Sequence, residues 1–415
     1  MKCPRSLASF CLCIGLVTGV VVGPLAAQRT WIVDAASGPG TDFTDLPPAV
    51  AAASDGDVLV VRAGSYADFT TGKGITILGV PGATMVRGYP WFGPCFRVAG
   101  LPAGRTFRAY GLVLQENQRQ QVEIEDCAGS VHLDDVRAGF GSYPGPTVSI
   151  VVTRSPAVTL VGCGTREPYW SSFVVHATAS RVQVVRCTLK GVSVLDDPRA
   201  GSRTATAGLT VGAGGVVDLV DGPVFGGHGV AGWFGPPRPS APAIHLNGGT
   251  VRLRRGAATN VLAGIGVDPV LSIPAIAGAG VVDADATVPI VPYAGAPAIE
   301  PSVTASIGPW PGLSQSGGDL GAPITWTLAS PPGGAFVLAA GTFATPLATP
   351  LGDLFLDLSS AVVFVGGTQP PAGTTTTTVP VPTTPVLRGQ GFGVQAAAAT
   401  SLGVRLTNAT VVVLR

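Results

Sequence analysis

The residues best equipped for acid–base chemistry are Val131-His-Leu-Asp-Asp-Val-Arg137. Read as a period-2 strand with Val131 and Leu133 turned inward, the segment sends His132 and Asp134 outward, with Asp135 and Arg137 at the following turn. An imidazole, two carboxylates and a guanidinium on one surface can remove a proton or protonate a leaving oxygen. The same residue types are also what any outward strand position and any turn require, and this plainer reading weighs more. The neighbouring outward column reads Glu123, Thr159, Gln183, so carboxylates do not continue along the surface as a Ca²⁺ site would need. His176, His228 and His245 have no metal-ligand spacing with one another or with a cysteine, so no metal site is expected. No nucleophile elbow, phosphate-binding glycine loop or catalytic cysteine–histidine pair occurs.

Aromatic residues supply the second chemical possibility. Tyr89, Trp91, Phe92, Tyr143, Tyr169, Trp170, Trp233 and Phe234 stand in segments with loop composition. Exposed rings stack on sugar faces, which makes Tyr143, Tyr169, Trp170 and Trp233 candidate substrate-binding residues. The same rings also pin loops to a scaffold, and that role is the more ordinary one.

Short strands must position all of these groups. Gln121-Val-Glu-Ile-Glu-Asp-Cys127, Ala157-Val-Thr-Leu-Val-Gly-Cys163 and Arg181-Val-Gln-Val-Val-Arg-Cys187 repeat one pattern: a period-2 strand, one turn residue and a cysteine. Such repetition is the mark of successive coils of a solenoid. Alternation turns Val122, Ile124, Val158, Leu160, Val182 and Val184 inward. Further strands are expected at 130–136, 147–152, 172–175, 191–195, 207–211, 215–220, 241–246 and 250–253. The Gly/Pro-rich stretch 222–243 reads as a loop leaving the coil.

The start of the solenoid is clearest in residues 31–66. A strand at 31–33 leads to a segment whose Phe43, Leu46, Ala49, Val50 and Ala53 fall at helical spacing, with Asp45 placed to cap it. Gly56-Asp57 ends that helix, and Val58 to Val61 reads as a strand buried on both faces. With Ala52, Gly64 and Tyr66, these residues resemble the N-terminal cap and first rung of right-handed parallel β-helix proteins of the pectin-lyase-like superfamily. The resemblance runs in weaker form to about residue 290, and Pro47-Pro48 departs from it at the helix start. It implies a fold with many functions, among them polysaccharide lyases, hydrolases, esterases, adhesins and inert stalks. Within that superfamily Ca²⁺ accompanies the lyases, so this ion belongs only to a lyase reading of the chain.

Residues 1–27 have a basic start at Lys2 and Arg5, an apolar run and a small-residue end at Ala26-Ala27, the pattern of a secretory signal peptide cleaved after Ala27. No later segment is apolar and long enough to span a membrane. The formal net charge is +1, and the leader carries two of the positive charges, so neither nucleic acid nor an anionic membrane is indicated as a partner. With 58 Gly and 37 Pro among 415 residues, the chain suits a turn-rich all-β protein, and 46% apolar residues argue against disorder. Four cysteines remain after the leader: Cys95, Cys127, Cys163 and Cys187. Rungs about 4.8 Å apart bring Cys163 and Cys187 within disulfide reach, but side chains in a parallel ladder rarely have the required Cβ geometry. Stacked free thiols are therefore expected ahead of a Cys163–Cys187 bond.

Residues 28–286 read as the β-helix, 287–320 as a Pro/Ala/Gly-rich junction and 321–415 as a smaller β-sandwich-like domain with strands at turn-punctuated intervals. Thr374 to Thr378 fits an edge strand. Leu387-Arg-Gly389, Gln395 and Leu406-Thr-Asn408 resemble a C-terminal β module of exported proteins of planctomycete-type bacteria, which implies surface display or docking. The expected function is that of an exported structural or binding protein, with polysaccharide as the candidate ligand. The alternative is a polysaccharide lyase or glycoside hydrolase centred on His132, Asp134, Asp135 and Arg137.

Overall fold

The computed structural model describes residues 28–80, 84–86, 94–114, 120–138, 147–165, 172–193, 205–229, 239–265 and 272–415. The leader and the aromatic candidates lie outside these residues. The described chain is all-β with one large, mostly parallel sheet system. Among the described residues no helix is long and apolar enough to cross a membrane.

The parallel strands form three ladders, and each circuit of the chain adds one strand to each. Ladder A contains Val58–Val61, Thr76–Gly79, Thr106–Tyr110, Ser130–Asp134, Val158–Val161, Arg181–Val185 and Val216–Val220. Ladder B contains Phe96–Ala99, Gln120–Glu125, Thr147–Thr153, Ser172–Thr178 and Leu209–Gly212. Ladder C contains Gly64–Tyr66, Thr84–Val86, Leu112–Leu114, Arg137–Ala138 and Gly164–Thr165, followed by Leu189–Lys190, Pro223–Phe225 and Asn260–Leu262. Two long strands, Ile244–Leu253 and Ile276–Asp285, serve ladder B with their first halves and ladder A with their second.

Two of the three corners are made by single residues with left-handed backbone. Gly100, Asp126, Arg154 and Ala179 turn the chain from B to A with φ of 65°, 54°, 47° and 48°. Gly111, Asp135, Gly162, Arg186 and Asp221 turn it from A to C with φ of 68°, 55°, 61°, 52° and 56°. One such residue reverses the side-chain alternation and bends the strand sharply, so the tightest corner, Gly111 between Tyr110 and Leu112, needs no loop. Inward residues such as Phe96, Phe107, Ile124, Leu133, Ile150, Leu160 and Val184 stack into one continuous core. Burying each contributes about 1.5–3 kcal/mol relative to leaving it in water.

The helix expected at the start spans Leu46–Ala52, with Asp45 as its N-cap and Leu46, Ala49 and Val50 buried against the first coil. Asp45 Oδ1 accepts from the backbone N–H of Leu46 and, at 2.9 Å, from that of Ala67. Lys73 donates to the carbonyls of Val50, Ala51 and Ala53, closing the other end of the helix. Asp57 joins the helix to the first rung by accepting from Ser54 N–H, Arg29 N–H and the Trp31 indole.

Three expectations change. The coil does not end near residue 286, because Ile290–Val291 and Val303–Gly308 continue ladders C and A. The first is only two residues long and the second mixes small residues among its apolar ones, which hides the alternation. The expected strand at 191–195 is replaced, among the described residues, by Leu189–Lys190. Glu123 does not share a column with Thr159 and Gln183: it lies in ladder B, between Arg97 and Val151. The strand–turn–cysteine pattern misleads here because both sharp corners use the same one-residue bend.

The remaining chain forms a module of two antiparallel sheets. Gly312–Ser316, Pro323–Ala329 and Thr374–Pro380 make one, with the threonine-rich strand at its edge. Val362–Thr368, Ala335–Gly341, Gly391–Thr400 and Gly403–Val413 make the other. Leu313, Trp326, Leu328, Phe336, Leu338, Val394 and Val412 form their shared core. A hairpin of Phe343–Thr349 and Gly352–Leu356 projects from them.

Candidate functional site

The outward column of ladder A that contains His132 reads Arg108, His132, Thr159, Gln183, Asp218, Arg252, Asp283. Outward does not mean exposed. The C-terminal module lies along this ladder, and His132 is 3% exposed, Thr159 0%, Gln183 1% and Asp218 1%. Phe343 of the module stands edge-on to the His132 ring, with centroids 5.0 Å apart and planes at 85°. Among the described residues neither His132 nitrogen has a hydrogen-bond partner. Burial, with Arg108 adding to it, holds the imidazole well below its usual pKa and therefore neutral.

Asp134 points the same way two residues on and is 8% exposed. Arg415 approaches its carboxylate to 3.8 Å and also lies 4.1 Å over the Tyr110 ring. Burial raises the Asp134 pKa to about 6, only partly offset by Arg415 and Arg186. Asp135 and Arg137 pair with each other at the A-to-C corner. The four candidate residues thus divide into a buried pair beneath the module and a local ion pair beside it. Among the described residues no three His, Cys, Asp or Glu side chains converge as metal ligands would.

The module is held by contacts the sequence reading did not single out. Asp353, at the turn end of the projecting hairpin, accepts from Arg252 at 2.7 Å and pairs with Arg181. Arg254, 1% exposed, pairs with Asp218 at 2.5 Å and donates to the Leu406 carbonyl at 3.0 Å. Gln183 donates to the second Asp218 oxygen at 2.9 Å. Burial works against ionised Asp218, yet Arg254 and Arg252 outweigh it and leave its pKa below the ordinary value. Val58, Leu78 and Tyr110 pack with Val411 and Val413 of the module. Arg252 was visible in the sequence, but nothing local ties it to an aspartate about a hundred positions later.

Cys127, Cys163 and Cys187 are buried free thiols, and Cys95 is buried as well. Cys163 and Cys187 stack at the A-to-C corner, each directing its sulfur to backbone carbonyls of its own and the preceding coil at 3.4–3.5 Å. Cys127 occupies the other corner, where Ser155 and Ser180 continue its row through N–H to side-chain hydrogen bonds of 3.2 and 3.0 Å.

Tyr143, Tyr169, Trp170 and Trp233 fall outside the described residues. The segments carrying them each join a ladder C strand to the next ladder B strand. Ladder B is not covered by the module as ladder A is. Its outward column reads Arg97, Glu123, Val151, His176, Thr210, His245, all at least partly exposed. Neither a protein-family model nor a curated protein sequence matches the chain.

Proposed function

We propose that the chain is an exported right-handed parallel β-helix protein of the pectin-lyase-like kind, freed of its leader after Ala27, that binds polysaccharide without cleaving it. The observation that carries this reading is the sealing of His132 and Asp134 under the C-terminal module. Acid–base chemistry needs both groups within hydrogen-bond reach of a substrate, and here Phe343 and Arg415 occupy the approach. Ladder B, which the module leaves uncovered, offers a flat surface with a repeat of about 4.8 Å. The module serves to fix this surface for display at the cell exterior.

The test is a glycan array probed with the mature protein, beside an assay for unsaturated and reducing ends released from acidic and neutral polymers. Retention without product supports the reading. Product formation that disappears in Asp134→Ala replaces it with the lyase or hydrolase alternative, and absence of retention on every polymer leaves a purely structural role.

A further inference from the structure

The two ends of the coil differ. At the N-terminal end the Leu46–Ala52 helix covers the first rung, and Leu46 and Ala49 are fully buried. At the other end Val303–Gly308 is the last strand of ladder A, and among the described residues it pairs only with Ile276–Asp285. Its free side therefore presents unpaired backbone donors and acceptors.

The register shows which of its side chains belong to the core. Ala305 lies opposite Val282 and Ile307 opposite Ala284, and both partners are 0% exposed. Val303, in the same row, is buried, but Ile307 is 57% exposed because no coil follows it. A core-facing isoleucine in water marks an unfilled stacking position. Residues 301–318 contain no charged side chain, so charge does not guard this open strand edge, which only Pro301 and Pro309 flank. Leu402, at the turn between the last two module strands, is 56% exposed and flanks Gly308.

We propose that this end is a homodimer interface, in which two copies stack head to head with their Val303–Gly308 strands paired antiparallel about a two-fold axis. Such pairing satisfies both free edges and places each Ile307 in a core shared by the two coils. The segment Val-Thr-Ala-Ser-Ile-Gly is uncharged and free of large side chains other than Ile307, so it opposes its own copy without repulsion. Leu402 of each copy adds apolar contact at the margin. The helix at the opposite end forbids further stacking, so the assembly closes at two copies instead of growing into a fibre.

Sedimentation equilibrium on the mature protein tests this. The expected result is a dimer that becomes a monomer in Ile307→Lys and stays a dimer in Leu358→Lys, which alters a 70% exposed leucine elsewhere on the module. Both substitutions are at exposed positions, so folding is preserved. A wild-type monomer at about 100 μM, where a complex of micromolar Kd is nearly complete, overturns the proposal. So does a dimer that survives Ile307→Lys, or one lost only in Leu358→Lys.

Discussion

Asp353 accepts a 2.7 Å hydrogen bond from Arg252, a residue 101 positions earlier in the chain and on a different body of structure. Its carboxylate is 5% exposed and also pairs with Arg181, so one module side chain neutralises two arginines of the coil. This is the polar anchor of the docked arrangement.

Removing one partner of a buried ion pair leaves the other charge desolvated and unpaired. Asp353→Ala is expected to cost about 3 kcal/mol, the lower end of the usual range because Arg252 and Arg181 keep some solvent contact. Urea unfolding measures it. A loss below about 1 kcal/mol, the worth of an exposed pair, would show that water already reaches the anchor.

Two buried groups in ladder A give opposite pH dependences. The folded-state pKa of His132 is depressed, so below about 6.5 the unfolded chain binds a proton that the folded one does not, and stability falls with acidification. Asp134 is raised from 3.8 to about 6, so between those values the folded chain binds the extra proton and stability rises with acidification, by about 3 kcal/mol over the window. Relative to the wild type, Asp134→Asn should lose stability as pH drops from 6 to 4, and His132→Phe should gain it. Denaturation at a series of pH values checks this, and parallel profiles for the three proteins would contradict it.

Burial raises the thiol pKa values of Cys127 and Cys163. A thiol-reactive dye should label Cys127, Cys163 and Cys187 very slowly in the native mature protein and readily after unfolding without reductant. A linked Cys163–Cys187 peptide in the unreduced digest would refute the free-thiol arrangement.

Ala179 adopts φ of 48° at a B-to-A corner, a conformation that opposes a Cβ atom. Ala→Gly inside a regular element normally destabilises by about 0.5–1 kcal/mol. Here Ala179→Gly should be neutral or stabilising by up to about 1 kcal/mol, because relief of strain offsets the added freedom of the unfolded chain. A clear drop in thermal midpoint would mean that the corner is not strained.

The capping helix, the inward rows and most module strands were readable from the chain because each depends on neighbours in sequence. Asp45, Gly56 and the alternation in Val58 to Val61 carry their own instructions. Which corner a cysteine occupies was not readable, since Asp126, Gly162 and Arg186 make the same bend at two places. Nor was the burial of His132. Alternation separates inside from outside of the coil, but it says nothing about a second body settling on the outside, which Phe343 and Asp353 bring about from more than two hundred positions away in the first case and about a hundred in the second.

The one-residue corners also dictate where the chain tolerates length. The A-to-C bends at Gly111, Asp135, Gly162 and Arg186 leave one to three residues between strands, whereas the long connections, 191–208 and 226–243 among them, lie where ladder C hands over to ladder B. A stretch exchanged there leaves the pitch, the core rows and the seat of the module unaltered. The architecture therefore separates a closely wound spindle from one editable margin, and new surface chemistry can be grafted along that margin one circuit at a time.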